Sequence, residues 1–223
     1  MRGEGQEMSV TTTKLLIVDD EPLVRALLGE IFRQRGHEVQ TAVDGFSALR
    51  TMRSWMPDVL VSDLNMPGMS GFELLSIVRR RLAAIYVVAT SGAYTGSELP
   101  EGIAADVFHE KGTGVKTLVE QIEVLSQALP AAPRGSNSTA PIWTSRSKVT
   151  ASGERPAGAI YAMISCPECL RALPQVLSDE VMRIHETECM YCQTPVHYAV
   201  VQELDPETSQ PFGVARQTIE AGV

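Results

Sequence analysis

Residues 58–75 read DVLVSDLNMPGMSGFELL, and this stretch decides the fold of the N-terminal half of the chain. Its first five residues, 58–62, form a short apolar and β-branched run of the kind found in fully buried strands. After Asp63, apolar residues recur at helical spacing from residue 70 to residue 80 and predict a helix. A buried strand followed by an amphipathic helix is the repeating unit of an α/β domain with a parallel sheet.

The same alternation continues on both sides of this stretch. Apolar runs predict four further strands at residues 14–18, 39–42, 85–89 and 105–108. Helices are expected from Pro22 to a stop at Gly36, after an N-cap at Asp44, and over residues 115–129. Residues 14–129 therefore predict an α/β domain with a five-stranded parallel, doubly wound sheet and helices on both faces.

Side chains that can carry chemistry follow these predicted strands. Asp19 and Asp20 come after the first strand, Asp63 after the third, Ser91 after the fourth and Lys111 after the fifth. In an open parallel sheet, ligands bind at the carboxyl ends of the strands. Three acids at one edge repel one another, and a Mg²⁺ ion, which prefers oxygen ligands, relieves that repulsion. An aspartate beside Mg²⁺ and a lysine is suited to attack a phosphoryl group.

Four motifs occupy these positions: LLIVDDE at 15–21, DVLVSDLNMPGMSGFELL at 58–75, VVATSGA at 87–93 and FHEKG at 108–112. With them, residues 14–129 resemble the receiver domain of bacterial two-component response regulators, which has a flavodoxin-like fold. The resemblance implies that Asp63 is the phosphoacceptor. Asp19 and Asp20 would hold Mg²⁺ together with Asp63, and the backbone carbonyl of Asn65 would be a further ligand.

The resemblance assigns roles to three more side chains. Ser91 matches the hydroxyl that follows the phosphoryl group, and Thr90 is the alternative; Ser91 is preferred because a small residue follows it. Phe108 matches the switch aromatic of the family, and Lys111 matches its phosphate-binding lysine. We expect phosphorylation of Asp63 to draw Ser91 inward and to let Phe108 move into the space vacated.

Two departures from the family pattern stand out. Gly112 follows the lysine where the family usually has proline, so we expect a more mobile loop there. The segment 94–102, where the family has its fourth helix, contains Gly96, Pro100 and Gly102. Glycine and proline cost about 1 and 3 kcal/mol in a helix interior, so this helix is expected to be short or displaced. That weakens the carry-over of the dimerisation that this face often serves in the family.

The cysteines form two close pairs in the last third of the chain. Cys166-Pro-Glu-Cys169 and Cys189-Met-Tyr-Cys192 are two C-x₂-C motifs separated by 19 residues, which is a zinc-site spacing. Four thiolates complete a closed tetrahedral set. With short strands expected at 172–177, 181–184 and 196–201, the pattern predicts a small β-rich zinc ribbon. The alternative is a thiol redox sensor in which these cysteines oxidise reversibly and release zinc.

The charge of the C-terminal part bears on its partner. Residues 161–223 contain three Arg and no Lys against nine acidic residues, a net charge of −6, and a zinc ion with four thiolates adds about −2. Such a surface repels phosphates, so a protein partner is favoured and nucleic acid is disfavoured. The alternative is a transcriptional regulator whose ribbon binds DNA or RNA polymerase.

Composition divides the rest of the chain. We expect a disordered N-terminus at residues 1–13, a flexible linker rich in Pro, Gly, Ser and Thr at 130–156, the zinc ribbon at 157–205 and a polar tail at 206–223. As a random coil the linker spans roughly 30 Å, so the ribbon would move freely or be held until phosphorylation frees it. Within the linker, Ile142 and Trp143 are either incidental apolar residues or a small docking anchor.

Overall composition sets the remaining bounds. The chain has 223 residues and a formal charge of −8, which argues against a protein that coats nucleic acid or anionic lipid. It has no apolar stretch of the roughly 18–20 residues that a membrane span needs and no visible secretory signal, so a cytoplasmic location is expected. Together these features predict a response regulator that accepts phosphoryl groups from a sensor histidine kinase or a phosphotransfer protein. Beyond the chemistry of its own aspartate, it is not expected to be an enzyme.

Overall fold

The computed structural model describes residues 12–96, 103–127, 141–145, 161–176 and 183–201. Its N-terminal domain is built on five strands, which are β1 (Lys14–Val18), β2 (Glu38–Ala42), β3 (Val59–Asp63), β4 (Tyr86–Ser91) and β5 (Val107–Glu110). They form one sheet in the order β2-β1-β3-β4-β5, and every neighbouring pair is parallel. This is the flavodoxin-like doubly wound order, so the predicted five-stranded parallel sheet is confirmed.

Helices cover both faces of this sheet. In the described part of the domain they are α1 (Pro22–Gln34), α2 (Gly45–Met52), α3 (Gly71–Arg81) and α4 (Val115–Gln127). Capping boxes at Asp44 and Ser70 fix the starts of α2 and α3. Because successive residues of a strand point to opposite faces, Leu15 packs in the core under α1 and α4, and Leu16 packs in the core under α2 and α3.

The strand ends differ from the predicted ones by one or two residues. Asp63 and Ser91 are the last residues of β3 and β4 rather than the first residues of loops, and Lys111 begins a 3₁₀ turn directly after β5. Between β4 and β5, residues 92–96 and 103–106 contain no helix. Residues 97–102, which include Pro100 and Gly102 of the segment where a short or displaced helix was expected, lie outside the described residues.

In its described residues the C-terminal unit has five strands, which are β6 (Ile142–Ser145), β7 (Tyr161–Ser165), β8 (Ala172–Val176), β9 (Ile184–Glu188) and β10 (Pro195–Val201). β7 and β8 form an antiparallel hairpin. β10 pairs antiparallel with β9 and parallel with β6. Of the strand expected at 181–184, residues 181 and 182 lie outside the described residues. Strand β9 begins at Ile184 and continues through the alternating sequence IHETE to Glu188.

Strand β6 lies inside the stretch 130–156 that was expected to be a flexible linker. Of that stretch, the structure describes residues 141–145, and they form an ordered edge strand. Ile142 and Trp143 are 0% and 2% exposed. Ile142 faces the core of the C-terminal unit, whereas Trp143 joins Ala199 and Val201 in the core under α2 and α3. A run of β-branched and aromatic residues thus completes the sheet despite its polar surroundings.

Helix α3 is covered on two sides, by its own sheet and by the C-terminal unit. Nine of its 11 residues are buried, and the Ser76 hydroxyl donates a hydrogen bond of 2.6 Å to the carbonyl of Pro141. In the structure, the C-terminal unit is therefore docked on the N-terminal domain through α3. Within the described residues, no helix is long and apolar enough to span a bilayer. Residues 1–11 and the expected tail at 206–223 lie outside the described residues.

Candidate functional site

The ends of β1 and β3 bring the three predicted acids together. Asp19, Asp20 and Asp63 each place a carboxylate oxygen within 4.8 Å of the others. Asp19 and Asp63 are buried and Asp20 is exposed. Asp63 Oδ1 accepts a hydrogen bond of 3.4 Å from the amide of Asn65. A cluster of hard oxygen donors with one open side fits a Mg²⁺ ion that keeps several waters.

Lys111 reaches this cluster from the end of β5. Its Nζ lies 2.8 Å from Asp19 Oδ2 and 3.1 Å from Asp63 Oδ2. Burial raises the pKa of Asp63, and the neighbouring Lys111 ammonium opposes this increase. Burial alone would lower the pKa of Lys111, but Asp63 and Asp19 outweigh it and hold that pKa above its usual value. The site therefore keeps a positive charge between two acids.

A glycine lets α3 approach the strand that carries Asp63. A Cβ atom at Gly71 would clash with the carbonyl oxygen of Asp63, and the Gly71 amide donates to the carbonyl of Leu64 at 3.0 Å. The first turn of α3 therefore lies directly against the end of β3. Our sequence reasoning missed this role of Gly71; the signal was a glycine directly after the N-cap Ser70.

Ser91 and Thr90 lie on opposite faces of β4. Ser91 is fully buried, and its hydroxyl accepts hydrogen bonds of 3.0 and 3.3 Å from two backbone amides of the following turn. It is two residues after Ala89, which pairs with Phe108 of β5. Because side chains alternate along a strand, Ser91 and Phe108 share one face of the sheet, and Thr90 faces the other. Phe108 is half-buried there.

The four cysteines meet at one point of the C-terminal unit. The Sγ atoms of Cys166 and Cys192 are 3.7 Å apart, and those of Cys169 and Cys189 are 3.6 Å apart. A disulfide requires about 2.05 Å, so these sulfurs are not bonded in pairs. Tetrahedral zinc with bonds of about 2.3 Å places its sulfurs about 3.8 Å apart. The set therefore fits zinc in both ligand type and spacing.

Both C-x₂-C motifs use the same turn. The amide of Leu170 donates to the carbonyl of Cys166 at 2.9 Å, and the amide of Gln193 donates to the carbonyl of Cys189 at 2.8 Å. Leu170 and Gln193 each have a φ of 59°. One backbone conformation, used twice, presents two sulfurs from each motif to the same centre.

Comparisons with known proteins agree with the N-terminal architecture. Residues 15–123 match the family described as response regulator receiver domain. The chain is 35% identical over 127 residues to "Protein-glutamate methylesterase/protein-glutamine glutaminase 1" of Anaeromyxobacter dehalogenans, covering 53% of this chain and 36% of that protein. It is 30% identical over 132 residues to "Transcriptional regulatory protein TcrA" of Mycobacterium tuberculosis, covering 58% and 52%. The chain thus spans about a third to a half of the length of these relatives.

A solved structure covers the same part of the chain. The response regulator protein TrrA of Thermotoga maritima, in complex with Mg²⁺-BeF, is 32% identical, with a TM-score of 0.47 over 51% of this chain and 99% of that one. The family match spans all five strands of the first sheet and contains the acidic cluster, Ser91 and Lys111. Residues 15–123 of this chain are a response regulator receiver domain.

Proposed function

We propose that the chain is a two-component response regulator whose Asp63 accepts a phosphoryl group from a sensor histidine kinase or a phosphotransfer protein. The observation that carries the proposal is the placement of Asp63. It lies at the carboxyl end of a central strand, is 5% exposed, and is in contact with Lys111 and beside Asp19 and Asp20. These are a nucleophile, a cation and metal-binding acids in one pocket.

In the proposed transfer, a carboxylate oxygen of Asp63 attacks the phosphorus of a phosphohistidine. An O–P bond forms while the N–P bond to the donor imidazole breaks, and the imidazole nitrogen that is released takes up a proton from solvent water. Lys111 balances the charge on the transferred oxygens, and Asp19 holds the ammonium in position. A Mg²⁺ ion bound by Asp19, Asp20, Asp63 and the carbonyl of Asn65 would supply further charge neutralisation.

Ser91 and Phe108 form the proposed switch. In the structure the Ser91 hydroxyl accepts hydrogen bonds from the backbone amides of Ala93 and Tyr94, and a hydroxyl that accepts can also donate its own hydrogen, in the proposal to a phosphoryl oxygen. Movement of Ser91 towards that oxygen opens space on the face that it shares with Phe108. The location of both side chains on one face supports coupling of Ser91 to Phe108, whereas the alternative, Thr90, is the sheet partner of Asp63.

For the C-terminal unit we propose a zinc ribbon that holds Zn²⁺ with Cys166, Cys169, Cys189 and Cys192 and binds a protein partner. Its exposed charged residues near the cysteines are Glu168, Arg171, Arg183, Glu186 and Glu188. The excess of acid, together with the negative zinc–thiolate centre, opposes binding to nucleic acid. Salt-dependent binding to duplex DNA would instead favour a transcriptional output, which is the role that the name of one relative indicates for that relative.

We further propose that the chain catalyses only the formation and hydrolysis of its own acyl phosphate. A metal with four cysteine ligands has no open position for a substrate, which makes the proposed zinc structural rather than catalytic. The methylesterase activity in the name of one relative is not assigned to this chain, because the chain covers 36% of that protein.

The phosphoacceptor assignment is tested with a small phosphodonor such as acetyl phosphate in the presence of Mg²⁺. The wild type, Asp63→Asn and Asp58→Asn are compared by intact mass. Asp58 is a matched control because it precedes the opposite end of the same strand and accepts the Lys14 amide at 2.8 Å. We expect incorporation in the wild type and in Asp58→Asn and none in Asp63→Asn. Equal incorporation in Asp63→Asn would show that another residue is the acceptor.

A further inference from the structure

Helix α3 ends in three consecutive arginines with different surroundings. Arg79 forms an ion pair of 2.9 Å with Asp106, which ties α3 to the segment before β5. Arg81 is exposed. Arg80, between them, is 9% exposed although arginine is among the residues least often buried. The charge of Arg80 therefore lies where solvent and salt screen electrostatic interactions less than at the surface.

The side of α3 that carries Arg80 faces the C-terminal unit. Ser76 and Arg80 are four residues apart, so they lie on the same stripe of the helix. The Ser76 hydroxyl binds the carbonyl of Pro141 at 2.6 Å. The next residue, Ile142, packs in the small core that contains Cys166. The stripe that carries Arg80 thus contacts strand β6, whose first residue packs in one core with Cys166.

The electrostatic surroundings of Arg80 support this placement. Burial lowers the pKa of Arg80, and the charges of Glu168 and Cys166 oppose that change. Glu168 lies inside the first C-x₂-C motif, between Cys166 and Cys169. Zinc with four thiolates carries a net charge of about −2, and a buried cation nearby stabilises such a centre more strongly than an exposed one.

We propose that Arg80 of the receiver domain is a positioning residue of the zinc centre: its buried guanidinium, on the stripe of α3 that docks the C-terminal unit, balances the charge of the four-cysteine site across the interface. The inference rests on the zinc site of the proposed function. If Arg80 stabilises the zinc centre only in the docked state, docking on α3 strengthens zinc binding. Zinc then strengthens docking by the same factor, because coupling between two binding equilibria is equal in both directions. The receiver domain thereby contributes to a metal site whose ligands all belong to the other unit.

The test is the zinc affinity of the full chain, measured by competition with a chromogenic chelator. Arg80→Met retains the apolar stem and removes the charge, and we expect it to weaken zinc binding about tenfold or more, as other outer-shell changes do. Arg80→Lys keeps the charge and should restore most of the affinity. Arg81→Met changes the net charge equally at an exposed site and should leave the affinity unchanged. Because Arg80 and Cys166 are both buried, the loss of zinc affinity in Arg80→Met should persist in high salt.

A second readout uses the wild type alone and does not depend on how the variants fold. We expect the amides of α3 to exchange more slowly with zinc bound than after chelation, because zinc favours the docked unit. Equal zinc affinity of the wild type and Arg80→Met, or α3 exchange that is unchanged by zinc, would overturn the link and leave the zinc site standing. Failure of the wild type to take up zinc would overturn the zinc site itself.

Discussion

Replacement of Trp143 by alanine tests whether β6 anchors the C-terminal unit to α3. Trp143 is 2% exposed and lies in the core under α2 and α3. A tryptophan side chain buries roughly 200 Å², worth about 5 kcal/mol at about 25 cal/mol/Å². Measured truncations of this kind cost about 3–5 kcal/mol. We expect Trp143→Ala to weaken docking by about that amount.

The assay is amide hydrogen exchange of α3, read by mass spectrometry. A loss of 3 kcal/mol corresponds to more than a hundredfold change in an equilibrium constant, so α3 amides that exchange through undocking should exchange about a hundred times faster. Trp143→Phe should weaken docking much less than Trp143→Ala does. It keeps an aromatic ring, and it removes an indole N–H that has no hydrogen-bond partner within the described residues. Trp55→Phe, at a half-buried tryptophan whose indole N–H donates to Glu38 at 2.7 Å, is the control. Unchanged α3 exchange in Trp143→Ala would refute the docking of the C-terminal unit on α3.

Three further predictions concern the rest of the molecule. Gly71→Ala should lower the free energy of unfolding by about 1–3 kcal/mol, measured in urea, and impair phosphorylation, because its Cβ would meet the Asp63 carbonyl. Gly112→Ala is the control: its Cβ would meet no atom within 4 Å, so it should unfold at the same urea concentration as the wild type. In a Trp55→Phe background, where Trp143 is the remaining tryptophan, zinc chelation should shift the emission to longer wavelength, and an unchanged spectrum would contradict docking linked to zinc. Burial lowers the pKa of His37 and His109. Below about pH 6.5 the unfolded chain therefore binds more protons than the folded chain, and the free energy of unfolding decreases as the pH falls. Urea unfolding at several pH values should show this dependence, which should become weaker in a His37→Gln/His109→Gln variant.

The receiver site could be predicted because its residues follow strongly patterned strands. The run before Asp63 and the run before Asp19 are continuous and apolar, so the strands and their order along the chain were readable, and the topology of a parallel sheet placed the acids together. The observed strand bounds differ from the predicted ones because the pattern of apolar residues does not show where the hydrogen bonding between strands ends. Ser91 is an example, since it belongs to β4 rather than to the loop after it.

The interface between the two parts could not be predicted in the same way. Four residues of β6 stand in a stretch dominated by proline, glycine, serine and threonine, and their partner strand β10 lies more than 50 residues further along the chain. A local pattern carries no information about such pairing. One signal was present in α3, where Leu74, Leu75, Ile77 and Val78 give an apolar surface wider than a helix with one buried face requires.

The position of β6 determines where this protein can be divided into transplantable parts. A module cut out as residues 157–201 would lack the edge strand and leave one side of β10 open to pairing with other chains, a known route to aggregation. A cut that keeps β6 with the C-terminal unit therefore lies before Pro141, so that most of residues 130–156 stays with that unit. A new host for that module would also need a helix with a second apolar face, so recombination cannot join the C-terminal unit to an arbitrary receiver domain.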